Sequence, residues 1–118
     1  MFYVSADPRF RGFRLLRSDC RGESWAKGAR PEFAVAPPVL EADPFVSLDG
    51  QRIYFISTRH DPRNEDFDIY RVERLASGGW GAPSRLPAPV NSPASELLPR
   101  QDASGKLYFG SAREGGLG

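Results

Sequence analysis

The chain has 118 residues, a net charge of +1 at pH 7 and a single cysteine. Near neutrality gives no global field to recruit nucleic acid or a membrane surface, and one cysteine forms neither an internal disulfide nor a cysteine-based zinc site. With 12 Gly and 11 Pro against one Met, short strands joined by turns are favoured over long helices. No apolar run approaches the roughly 18 residues of a membrane span. Met1-Phe2-Tyr3-Val4-Ser5 lacks the basic start and apolar centre of a signal peptide.

Phe2 to Ala6 opens the chain as a strand, and Phe13 to Ser18 follows as another, with Trp25 beginning a shorter segment. Arg9, Arg11, Arg14, Arg17, Arg21, Lys27 and Arg30 outnumber the acids of this stretch. A solvated strand face explains them more simply than a polyanion site. Ser18 to Trp25 has the outline of an Asp-box turn with Cys20 at the Asp position, which is a turn motif and not catalysis.

The middle of the chain is the clearest. Asp43 to Ser47 is a short apolar run ending in Asp49-Gly50, a hairpin signal in which Gly supplies a positive φ. Arg52 to Ser57 is almost continuously apolar, the pattern of a strand buried on both faces. After the polar loop His60 to Glu65, Phe67 to Leu75 alternates as a half-exposed strand. Ser77-Gly78-Gly79 turns the chain into a fourth segment, Trp80 to Leu86, where Pro83 suits an edge.

The pattern then returns. Glu96-Leu97-Leu98-Pro99 stands in register with Glu41-Ala42-Asp43-Pro44, Ser104-Gly105 with Asp49-Gly50, and Tyr108 to Arg113 with Tyr54 to Arg59. Phe2-Tyr3-Val4-Ser5-Ala6 is a worn copy of the same phrase. A period of roughly fifty residues marks stacked supersecondary units. The predicted fold is all-β: a partial β-propeller of about two blades, each a four-stranded antiparallel meander. Residues 1–40 are expected to hold strands two to four of one blade, 41–86 a complete blade, and 87–118 the first two strands of another. The chain is thus expected to be a propeller fragment, its ring completed by further blades or by self-association.

The register, and Pro44-Phe45-Val46-Ser47-Leu48-Asp49-Gly50, Ile53 to Arg59, Phe67-Asp68-Ile69-Tyr70, Trp80-Gly81-Ala82-Pro83 and Val90-Asn91-Ser92-Pro93 within it, resemble the WD40-like propeller repeat of the TolB type (PD40 repeats). The first unit departs from it, with Arg14-Leu15-Leu16 where Asp68-Ile69-Tyr70 stands in the second. The resemblance implies a non-catalytic scaffold in the periplasm or outside the cell that binds a protein or envelope polymer. It identifies no partner, because fold does not determine function.

Arg59 and Arg113 recur after the second strand of each unit and Glu41 and Glu96 before the first, so pairing between segments is expected to hold units together. Function is expected where the repeat breaks. The loop Arg59 to Asp66, the basic loop Asp7-Pro8-Arg9-Phe10-Arg11, the Gly-rich stretch after Arg113 and the Pro-rich connection 87–95 should share one rim. The expected partner-facing residues are Arg9, Phe10, Arg11, Arg59, His60, Arg63, Asn91 and Arg113. No catalytic residue is expected, as no nucleophile motif accompanies the lone His60. No cofactor is expected, as no phosphate-cradling loop is present. Asp61, Glu65, Asp66 and Asp68 form an acidic cluster whose spacing matches no calcium loop, so no metal is expected either. A glycan- or peptide-active hydrolase fragment, or a purely structural repeat segment, is the alternative reading.

Overall fold

A computed structural model describes residues 1–9 and 11–115. The protein is all-β and antiparallel throughout, built of β1 (Phe2–Ser5), β2 (Arg14–Arg17), β3 (Cys20–Arg21), β4 (Ser24–Trp25), β5 (Glu41–Val46), β6 (Arg52–Ser57), β7 (Asp68–Glu73), β8 (Ser84–Arg85), β9 (Glu96–Gln101) and β10 (Leu107–Ser111). β5-β6-β7-β8 form one four-stranded meander, with β1-β2, β3-β4 and β9-β10 as two-stranded sheets. Among the described residues no helix is long and apolar enough to cross a membrane, a statement about helices only.

β6 shows why a continuous apolar strand is needed at the centre. It pairs with β5 on one side and β7 on the other, and its alternate side chains enter two separate cores. Ile53 and Phe55 join Tyr70, Val72 and Trp80 in a cluster completed by Leu15, Phe33 and Phe2 from the first unit. Tyr54 and Ile56 point to the opposite face, where Ile69 and Leu86 meet Val90, Leu107 and Phe109 from the third unit, with Val4 and Phe13 of the first also packed against the cluster. The meander is therefore the middle layer of a stack, each face covered by a neighbouring unit. The period-two geometry of a strand lets one run of apolar residues serve both layers.

The turns follow their sequence signals. Gly50 and Gly105 both take positive φ, 70° and 90°, at equivalent hairpins. The bulges are a feature that sequence reasoning missed. Asp43 and Leu98, each preceding a proline at the same point of the repeat, have φ of 50° and 52°, where the β5-β6 and β9-β10 registers shift. The Leu98 amide donates to Asp43 Oδ2 at 3.2 Å, so one bulge rests on the other. A leucine held left-handed is strained, and the side chain is exposed. Leu98→Asn is expected to raise stability by about 0.5–1 kcal/mol, measured as a higher urea midpoint with unchanged slope.

The ends of the stack differ from the sequence expectation. In the first unit the fourth strand is reduced to a bridge between Arg17 and Ala29, and Trp25 lies in the β3-β4 hairpin, opposite Cys20. Trp25 is exposed and Trp80 buried, although both occupy the same place in the repeat. Trp80 has Phe2 and Phe33 from the preceding unit at ring distances of 6.1 and 6.4 Å; among the described residues nothing offers Trp25 an equivalent partner. In the third unit the stretch running through Gly116 to Gly118 lies outside the described residues.

Candidate functional site at one end of the sheets

The Phe13 carbonyl accepts from the Glu41 amide as the Phe67 carbonyl accepts from the Glu96 amide. This brings the loops before β2 and β7, and the starts of β5 and β9, to one end of the stack. Two kinds of polar structure occur there, one repeated and one unique.

The repeated structure is a buried carboxylate cassette. Glu41 is 1 % exposed and Glu96 fully buried. Glu41 Oε1 accepts from Ser57 Oγ at 3.1 Å and from the Arg59 guanidinium, and Oε2 accepts from the Val35 amide at 3.0 Å. Glu96 Oε1 accepts from Ser92 Oγ at 2.6 Å, Ser111 Oγ at 2.8 Å and Arg113 Nη2 at 3.0 Å, while Oε2 accepts from the Ser92 amide at 3.1 Å. Each arginine also donates to a carbonyl of the connecting segment, Phe33 O at 3.2 Å or Val90 O at 2.6 Å. Each lies over an aromatic of the strand it follows, Phe55 at 5.2 Å or Phe109 at 5.7 Å.

The expected Arg–Glu pairing is thus present, but it closes within a unit and is buried, not exposed. It pins the connecting segment to the hairpin that follows it. Arg59 and Arg113, expected to face a partner, have their guanidinium groups engaged in these internal bonds. Burial pushes the Glu96 carboxyl up, but hydrogen bonds from Ser92, Ser111 and Arg113 outweigh it and hold the group below its ordinary value of 4.5. A depressed carboxyl stabilises the fold above the unfolded value and loses that contribution as pH falls through the folded one. Stability is therefore expected to decline below about pH 4.5. Glu96→Gln should be less stable at neutral pH and flatter on the acid side, as measured by urea titration from neutral to acid pH.

Asn91, also expected to face a partner, is engaged internally as well. It is buried, and its amide accepts from Ile69 N at 2.7 Å and donates to Ile69 O at 2.9 Å and Leu86 O at 2.8 Å. It fastens the connection 87–95 to β7.

The unique structure surrounds His60. Its ring is tucked in beside Tyr70, with centroids 6.2 Å apart, and its side chain is 16 % exposed, so it is not the surface residue expected. Nε2 lies 3.2 Å from Asp66 Oδ2 and 3.4 Å from Asp68 Oδ2. Asp66 Oδ1 accepts from Ser95 Oγ at 3.2 Å, and Asp68 Oδ2 also accepts from the Arg85 guanidinium. Burial pushes the Asp68 carboxyl up, against the hydrogen bond of Arg85 and the charge of His60. His60 Nδ1 and Asp68 Oδ1 are buried without a hydrogen bond. An open cleft of about 470 Å³, lined by Asp66, Arg85, Asn91 and Pro87 among others, adjoins the cluster.

The acidic group expected from sequence is therefore divided. Asp61 is occupied by its own loop, accepting from the amides of Arg63, Glu65 and Asp66 at 2.9–3.0 Å, and Glu65 is exposed. Only Asp66 and Asp68 converge, and the residue that joins them is His60. The i, i+2 spacing of the two aspartates was the available signal; the histidine's approach depends on the loop.

Of the other expected residues, Arg9, Arg11 and Arg63 are exposed, and Phe10 lies outside the described residues. The Arg9 and Arg11 amides donate to Asp7 Oδ1 at 2.8 and 2.9 Å, which shapes the loop and leaves both side chains outward. Neither a family model, nor a curated protein, nor a solved structure matches this chain.

Proposed function

We propose that this chain is a non-catalytic interaction module whose stacked sheets are successive units of a β-propeller, similar to WD40-like repeats of the TolB type. It binds a protein or cell-envelope polymer through its loops, in the periplasm or outside the cell. One observation supports this reading above the others. The polar residues that recur between units (Glu41 and Glu96, Ser57 and Ser111, Arg59 and Arg113) are spent on internal bonds, whereas the exposed Arg9, Arg11 and Arg63 stand on loops that differ between units. Arg9 and Arg11 have no side-chain hydrogen bond or ion pair among the described residues, and Arg63 has only a 4.0 Å contact with Glu65. Loops on a rigid scaffold are where recognition residues collect.

The test is co-sedimentation with purified peptidoglycan and, separately, chemical crosslinking in a bacterial periplasmic extract. The chain should be retained by one of the two, and the triple variant Arg9→Glu, Arg11→Glu, Arg63→Glu should lose most of that retention while keeping its β-sheet circular dichroism. Equal retention of the variant, or no retention of the parent chain by either material, would sink the proposal. Turnover of the peptidoglycan by the parent chain would replace it with the hydrolase reading.

A further inference from the structure

We propose that His60, Asp66 and Asp68 form a binding site for one divalent transition ion of the Zn²⁺ type. One candidate ligand atom from each lies within 4.8 Å of the other two. The arrangement is independent of the propeller reading and of any partner.

Counting donors motivates the assignment. Ser95 supplies Asp66 Oδ1 and Arg85 supplies Asp68 Oδ2. Nε2 of a neutral imidazole can offer at most one hydrogen, yet it faces a carboxylate oxygen of both aspartates. Asp68 Oδ1, on a fully buried side chain, receives nothing. Buried acceptors without donors are costly, and a cation satisfies several lone pairs at once.

The donor set selects the ion. An imidazole nitrogen with two carboxylates suits Zn²⁺ and its neighbours, whereas Ca²⁺ takes six to eight oxygens and Mg²⁺ keeps most of its waters. Ligands about 2.0–2.2 Å from a tetrahedral ion stand roughly 3.3–3.6 Å apart. Nε2 stands 3.2 and 3.4 Å from the two carboxylate oxygens, close to that spacing, and the ligand atoms of the two aspartates lie within 4.8 Å of each other. Coordination positions not filled by protein would open toward the cleft beside Asp66.

The cluster is also not a by-product of the repeat. In the first unit Gly12 and Arg14 stand where the second has Asp66 and Asp68, and the loop there is shorter and has no histidine. A contact needed merely to build each unit would recur, as the Glu–Ser–Arg cassette does. Arg85 opposes the ion, since its guanidinium occupies Asp68 Oδ2 and adds a positive charge. That opposition makes the proposal separable from a structural role. If the cluster only held the fold, removing Arg85 would loosen it; if it binds a cation, removing Arg85 should tighten binding.

The test uses chelator-stripped full chain carrying Cys20→Ser, so that the exposed thiol contributes nothing. Calorimetric titration with ZnCl₂ is expected to show one saturable ion per chain, with MgCl₂ and CaCl₂ at least tenfold weaker. His60→Ala and Asp66→Asn should each weaken Zn²⁺ uptake at least tenfold, Glu65→Gln should leave it unchanged, and Arg85→Gln should strengthen it severalfold. His60 is the only histidine, so its imidazole NMR resonances report on the site without any substitution in the cluster. They should shift on adding Zn²⁺. Static His60 resonances, or uptake that survives both His60→Ala and Asp66→Asn, would overturn the assignment whatever the stability of the variants.

Discussion

Glu41→Ala should destabilise the fold by about 3–5 kcal/mol, the range for removing one partner of a buried ion pair. The carboxylate is 1 % exposed, and its loss strands three donors together: the Ser57 hydroxyl, the Val35 amide and the Arg59 guanidinium. Arg59 is itself only 18 % exposed, so water compensates poorly. Glu41→Gln keeps the shape and an acceptor but not the charge, and should fall between Ala and the parent. Urea denaturation of the three proteins checks this. A loss below about 1 kcal/mol for Glu41→Ala, the value of an exposed pair, would show that the cassette is solvated in solution.

Phe55→Ala should cost a similar amount, about 3–5 kcal/mol, for an unrelated reason. Phe55 is fully buried, stacks on Tyr70 at 5.9 Å, meets Phe33 at 5.5 Å and carries Arg59 over its face at 5.2 Å. Truncation opens a cavity at the joint between the first unit and the central meander, where backbone pairing cannot close it. Because small domains have only about 5–15 kcal/mol in total, the variant should melt at a much lower temperature or fail to fold. Leu48→Ala, at a residue 78 % exposed in the hairpin turn, should change stability by no more than about 0.5 kcal/mol. A Phe55→Ala melt close to that of Leu48→Ala would contradict the packing described.

Much of the fold was legible from particular residues. Asp49-Gly50 and Ser104-Gly105 marked hairpins because only a residue tolerant of positive φ closes them cheaply, and both glycines have it. The unbroken apolar run of β6 announced burial on two faces, and both faces are buried. The bulges were hidden because neither Asp43 nor Leu98 is a glycine. Their φ accompanies the shifted register, and a leucine has no intrinsic preference for it.

The candidate site was legible only in outline. Recurrence of Glu41 with Glu96 and Arg59 with Arg113 foretold pairing, but not that the carboxylates are sealed in or that each cassette closes within its unit. Asp61 looked equivalent to Asp66 in sequence, yet its loop folds back so that its own amides claim it. Asn91 and His60 looked like surface residues of polar loops, and both turn inward. Trp25 and Trp80 occupy one repeat position and differ in burial because Trp80 packs against Phe2 and Phe33, while among the described residues no aromatic pairs with Trp25.

Strand identity, turn position and the two-sided burial of β6 arise from side-chain alternation and backbone preference, which act over a few residues and can be read along the chain. Which charges lose water, which arginine meets which glutamate, and whether His60 faces solvent or two aspartates are not local properties. They depend on groups brought from elsewhere in the fold, since desolvation and ion pairing act through space and are set by whatever the stacked units place within a few ångströms.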